Sequence, residues 1–109
     1  MPDPACNPYL ALAVQLAAGL DGIRHEIDPG PAVETNVWEL SEEERTRLGM
    51  GILPANLGEA VGALERDELL REALGEHIFM NFIEAKKAEW SEYVTQITPW
   101  ELDTYLATY

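Results

Sequence analysis

The longest apolar stretch of the chain runs from Tyr9 to Leu20, where Gln15 is the only polar side chain. Its apolar residues recur at steps of three and four, the period of a helix with an apolar face. Asn7 has a side chain that caps a helix start, and Pro8 suits the first helical position. Because the other face is also apolar, we predict a core helix covered on most sides. The predicted inward stripe is Leu10, Ala13, Val14, Ala17, Leu20 and, more loosely, Ile23.

Helix-start signals recur along the rest of the chain, as capping residues that are mostly followed three positions later by a glutamate. Prolines and a glycine make the segment from about Asp28 to Leu40 irregular. No segment alternates apolar and polar residues as a strand does. The pattern therefore predicts an all-α fold of about five to six helices. The predicted starts are Ser41 with Glu44, Asn56 with Glu59, Asp67, Glu76 and Thr98 with Glu101, and the predicted stops are Gly49 and Gly75.

Two helices are predicted near the C-terminus. The apolar positions from Glu76 to about Ile97, Val94 included, share one face, which predicts the longest helix. Thr98 and Pro99 begin a last helix of about ten residues, and a helix so short must dock to persist. Aromatic residues with a polar group suit an interface, either within the same domain or with a neighbouring subunit. The expected contact residues are Trp100, Leu102, Tyr105, Leu106 and Tyr109.

Charge excludes two classes of partner. Seven Lys and Arg against twenty Asp and Glu give a formal net charge of -13, which repels phosphate backbones and anionic membranes. No stretch resembles a leader or a membrane span, and the single cysteine, Cys6, has no internal disulfide partner. We expect a cytoplasmic protein of one domain that binds neither nucleic acid nor membrane.

Candidate catalytic groups are few. His25 lies among charged residues, but we identify no second ligand at the helical spacing that lets two side chains share a metal. His77 is interpreted as a structural or surface residue, and the acidic run from Glu42 to Glu44 as the first turn of a helix, where the dipole favours negative charge. No phosphate loop, nucleophile elbow or Cys-x-x-Cys motif is present. We expect no catalytic, metal-binding or cofactor-binding residue in this chain.

Several segments, in this order and spacing, resemble the C-terminal part of glutamine synthetase, nearest to the type I enzymes of Gram-positive bacteria and archaea. The resemblance covers about residues 2 to 109. It implies that residues 1–109 are the C-terminal helical portion of the catalytic domain, without the upstream β-grasp and metal-binding portions. The matching segments are Asn7-Pro8-Tyr9-Leu10-Ala11-Leu12-Ala13 with its continuation to Ile23, residues 36–45, Gly75-Glu76-His77, Phe82-Ile83-Glu84-Ala85-Lys86, and residues 98–109.

The resemblance implies an ATP-dependent ligase that joins glutamate to ammonia through γ-glutamyl phosphate. ATP and Mg²⁺ or Mn²⁺ are implied for the complete enzyme, but the family's metal ligands lie upstream, so the isolated chain is expected to be inactive. A homododecamer is also implied, in which the C-terminal helix inserts into a subunit of the opposite ring. The positions that match this helix are Trp100, Leu102, Tyr105, Leu106 and Tyr109.

One position departs from the family pattern. Some bacterial members are adenylylated on a tyrosine in a segment of the form Asn-Leu-Tyr-Asp-Leu, and Trp38 stands at the position of that tyrosine. Indole has no hydroxyl group to modify, so we predict that this site is not adenylylated. We also expect Trp38 to pack its exposed loop against neighbouring residues.

Two alternatives stay open. Instead of a fragment of glutamine synthetase, the chain could be a free-standing helical interaction module derived from this family, or part of a related ligase that joins glutamate to amines other than ammonia. The specificity pocket is not among these residues, so the sequence does not separate ammonia from another amine.

Overall fold

The computed structural model describes residues 3–106, and in this range the chain forms six helices and no strand. The predicted all-α fold is confirmed. The segment between the first two helices is irregular, as its prolines predict. The helices are α1 Pro8–Arg24, α2 Glu42–Arg47, α3 Leu57–Leu64, α4 Glu68–Leu74, α5 Glu76–Tyr93 and α6 Pro99–Tyr105.

Two helices begin with the complete capping box that the sequence predicts. In α2, Ser41 Oγ accepts a hydrogen bond from the backbone N–H of Glu44 at 3.3 Å, and the Glu44 carboxylate accepts from the Ser41 N–H at 2.8 Å. In α6, Thr98 and Glu101 make the same pair of bonds. Two hydrogen bonds at each cap hold the pKa of the glutamate below its ordinary value. The bond from the backbone N–H has the larger effect, and the bond from the hydroxyl has the smaller one.

The other predicted caps act through single side chains. Asn7 and Asp67 accept backbone hydrogen bonds at the starts of α1 and α4. Asn56 Oδ1 accepts from the N–H of Glu59 at 2.9 Å and so caps α3. The Glu59 carboxylate accepts from the N–H of Ala55 instead of the N–H of the cap. The predicted start is therefore confirmed, but the glutamate accepts from the residue before the cap, so the capping box is incomplete.

Both predicted stops are glycines in the left-handed region. Gly49 has φ of +69° and follows α2, and Gly75 has φ of +75° and separates α4 from α5. A side chain at either position would be strained. Helices α4 and α5 therefore meet at one glycine, which turns the chain between them.

Helix α5 ends at Tyr93, so the predicted extension to Ile97 is wrong. The N–H groups of Thr95 and Gln96 bond to carbonyls three residues back, which tightens and ends the helix. Pro99 lies close by and disfavours helical backbone at the residue before it. Consequently Val94 and Ile97, which we expected on the apolar face, are 55% and 72% exposed.

The core of the described residues lies between α3 and α5. Phe79 is completely buried, and Val61 and Ile83 pack with it. Arg71 covers one side of this cluster, with its guanidinium carbon 5.1 Å from the centre of the Phe79 ring. The surrounding half-buried residues are Leu57, Leu64 and Leu74.

Helix α1 departs most from the expectation. It packs against α4 along one side, but none of its residues is buried, and Leu12 and Leu16 are 66% and 65% exposed. The reason is length: α4 has seven residues and is about 10 Å long, whereas the 17 residues of α1 extend about 25 Å. The prediction of a helix covered on most sides is therefore wrong for this chain on its own.

The whole chain is extended for its size. Its radius of gyration is 18.4 Å, compared with about 13 Å for a compact domain of this length. Its accessible surface is 9413 Å², compared with about 6,100 Å² for a folded monomer of this mass. Much of the surface that a compact domain would bury is therefore open.

Candidate functional site

The face of α6 that the sequence singles out is open. Trp100, Leu102, Tyr105 and Leu106 are 65%, 46%, 55% and 76% exposed, although the rings of Trp100 and Tyr105 contact each other edge to face at 5.9 Å. Leu102, Tyr105 and Leu106 line a shallow apolar recess together with Ile97. Tyr109, the fifth expected contact, lies outside the described residues.

A second apolar surface is a groove of about 450 Å³ between α1 and the helices of the core. Sequence reasoning missed it because it is assembled from residues of four helices. Lys86 lies at its edge with its ammonium bonded to Glu89 and 5.8 Å from the Phe82 ring, so this charge is already paired. The apolar lining is Ala5, Leu10, Ala11, Val14, Leu64, Leu70, Leu74 and Phe82.

Trp38 points out of the loop before α2. Its side chain is 87% exposed, so the expectation that it packs the loop against neighbouring residues is wrong for this chain. The turn is held by Asn36, whose Oδ1 accepts from the N–H of Trp38 at 3.3 Å and whose amide donates to Glu39 at 2.8 Å. The side chain of Asn36 therefore supplies the hydrogen bonds that hold this turn, and the indole remains exposed.

His25 pairs with a residue one helical turn earlier, which the sequence pattern did not lead us to predict. Asp21 lies four residues earlier, and its carboxylate is 2.9 Å from His25 Nδ1. The same nitrogen lies 3.1 Å from the Asp21 carbonyl at the end of α1. His25 is exposed and Asp21 is half-buried, and the pair closes the last turn of α1.

The other candidate groups are also on the surface. Cys6 is exposed. His77 lies in the first turn of α5, where its carbonyl accepts from the Asn81 amide at 2.7 Å. Within residues 3–106, no three His, Cys, Asp or Glu side chains come together as a metal site would require. The described groups therefore do not fit Mg²⁺ or Mn²⁺ on their own, and we assign no chemical step to a metal here.

In the part of the chain that the structure describes, no helix combines the length and apolar character that crossing a membrane requires.

Comparison with protein families gives one match along nearly the whole chain. Residues 1–105 match the family described as "Glutamine synthetase, catalytic domain". Two relatives are the glutamine synthetases of Thermus thermophilus, 50% identical over 109 residues, and of Methanosarcina mazei, 49% identical over 106 residues. These alignments cover 100% and 97% of this chain.

Solved structures include a similar fold. The structure described as "Apo GmaS without ligand" superimposes with a TM-score of 0.80 and 44% sequence identity, and the match covers 96% of this chain and 24% of that one. The chain likewise spans about a quarter of the length of the curated relatives it matches, 24% for the Thermus thermophilus protein.

Proposed function

The chain belongs to the glutamine synthetase catalytic-domain family, and from that premise we propose that it supplies helical packing and subunit contacts to an ATP-dependent ligase. It corresponds to the C-terminal part of such enzymes. The proposed reaction joins glutamate to ammonia through γ-glutamyl phosphate. In this proposal ATP and Mg²⁺ or Mn²⁺ serve the complete enzyme and are held by residues outside this chain.

The observation that carries the proposal is the open apolar face of α6. A seven-residue helix is too short to persist alone in water, yet α6 is fully capped at its start, and together with its C-cap Leu106 it presents four large apolar or aromatic residues to solvent. Aromatic side chains with a polar group are enriched at protein interfaces. This combination supports a helix that binds another subunit, and the proposed assembly is a homododecamer.

We also propose that the enzyme is not regulated by adenylylation at Trp38. Trp38, at the position of the family's adenylylated tyrosine, is accessible but has no hydroxyl group. We expect that incubating the chain with ATP and an adenylylating enzyme leaves the peptide containing Trp38 unchanged in mass. An AMP adduct on this peptide would contradict the proposal.

The experiment that tests the ligase function uses a companion polypeptide. We would co-express the 109-residue chain with the Thermus thermophilus glutamine synthetase lacking its matching C-terminal quarter. Neither polypeptide alone is expected to make glutamine from glutamate, ATP and ammonia, whereas the complex is expected to do so. Turnover by the 109-residue chain alone, or none by a complex that forms, would contradict the proposed function.

The oligomer contact is tested in the same complex with a matched pair of variants. Leu102→Asp puts a charge on the apolar face of α6, and Asp103→Asn removes one from the neighbouring position. By analytical ultracentrifugation we expect Leu102→Asp to release smaller assemblies and Asp103→Asn to leave the large assembly intact. Identical sedimentation of the two variants would refute the interface role of α6.

A further inference from the structure

We draw no further inference here: the strongest candidate, the apolar groove between α1 and the helices of the core, carries nothing, since its charged residue Lys86 is already paired with Glu89 and nothing in the structure shows what covers it.

Discussion

Gly58 lies where α3 comes close to α5. A Cβ added at this position would lie 2.6 Å from Trp90 Nε1 and 2.8 Å from Trp90 Cε2. The overlap costs about 1–3 kcal/mol, and alanine brings a gain of about 1 kcal/mol to a helix. We therefore expect Gly58→Ala to lower the free energy of unfolding by up to about 2 kcal/mol, measured by urea denaturation.

Gly62, one turn further along α3, provides the matched control. The nearest atom to a Cβ there is an Arg66 guanidinium nitrogen at 3.7 Å, which is ordinary contact. Gly62→Ala should raise the free energy of unfolding by up to about 1 kcal/mol. Equal effects of the two substitutions would show that Trp90 does not hold α3 and α5 at this distance.

The two capping boxes give a pH-dependent contribution to stability. Hydrogen bonds from Ser41 and Thr98 lower the folded-state pKa of Glu44 and Glu101. A folded pKa below the unfolded one gives stability that is fully present above the unfolded pKa and is lost as pH falls through the folded pKa. We expect carboxyl NMR signals of both glutamates to titrate below an ordinary glutamate.

Removing the hydroxyl tests the cause of these shifts. Ser41→Ala is expected to raise the pKa of Glu44 while leaving that of Glu101 unchanged, and Thr98→Ala is expected to do the converse. If both glutamates keep their midpoints in both variants, the side-chain half of the box makes no contribution to the shift.

Local chemistry explains which residues the sequence predicts well. Caps such as Ser41 and stops such as Gly75 depend on atoms within three or four residues, so the pattern of the chain contains all that is needed. The Asp21 and His25 pair has the same local character, because the two residues lie four positions apart on one helix. The exposure of Trp38 depends on what surrounds the loop, and the neighbouring residues in the sequence do not predict it.

At the scale of the element, α5 supplies the residues that hold the core together. Phe79 is fully buried, and Phe79→Ala is expected to cost about 3–5 kcal/mol through lost transfer energy and the cavity left behind. Met80, the next residue, is 41% exposed, so Met80→Ala should cost much less. Thermal unfolding followed by circular dichroism compares the two, and similar midpoints would place the core elsewhere.

The periodicity and the caps predict which helices form, whereas they do not predict how far each helix is covered by its neighbours. The pattern of α1 shows apolar residues on nearly every side. It contains no information on the length of the helix that packs against α1. Because α4 is less than half as long, one side of α1 stays open. The groove beside α1 could not be predicted either, since its lining comes from four helices brought together only by folding.

Helix α6 is expected to be the less protected of the two C-terminal helices when the chain is alone. It has seven residues and exposed apolar side chains, whereas α5 has 18 residues and two buried ones. Hydrogen exchange of backbone amides should therefore be much faster in α6 than in the middle of α5. Equal protection would mean that α6 folds back on its own domain, which would count against a subunit contact.

At the scale of the whole molecule, the described residues form an extended body with a small core. Three buried apolar residues form the core of the described part, and the principal dimensions are 59, 41 and 24 Å. A compact chain of this length buries about two thirds of the surface that its unfolded form exposes. Helices α1 and α6 contribute to this shortfall, because each carries several large apolar residues that the described part of the chain leaves exposed.

The extended shape of the chain can be measured in solution. Small-angle X-ray scattering of the isolated chain, extrapolated to infinite dilution, should give a radius of gyration near 18.4 Å rather than the value of about 13 Å for a compact domain. Within residues 3–106, α1 packs mainly against α4, and its other sides remain open. A value near 13 Å would mean that α1 and α6 collapse onto the core, leaving neither face open for a partner. A Leu16→Glu substitution should give nearly the same radius, because Leu16 is 65% exposed and the charge can remain in solvent.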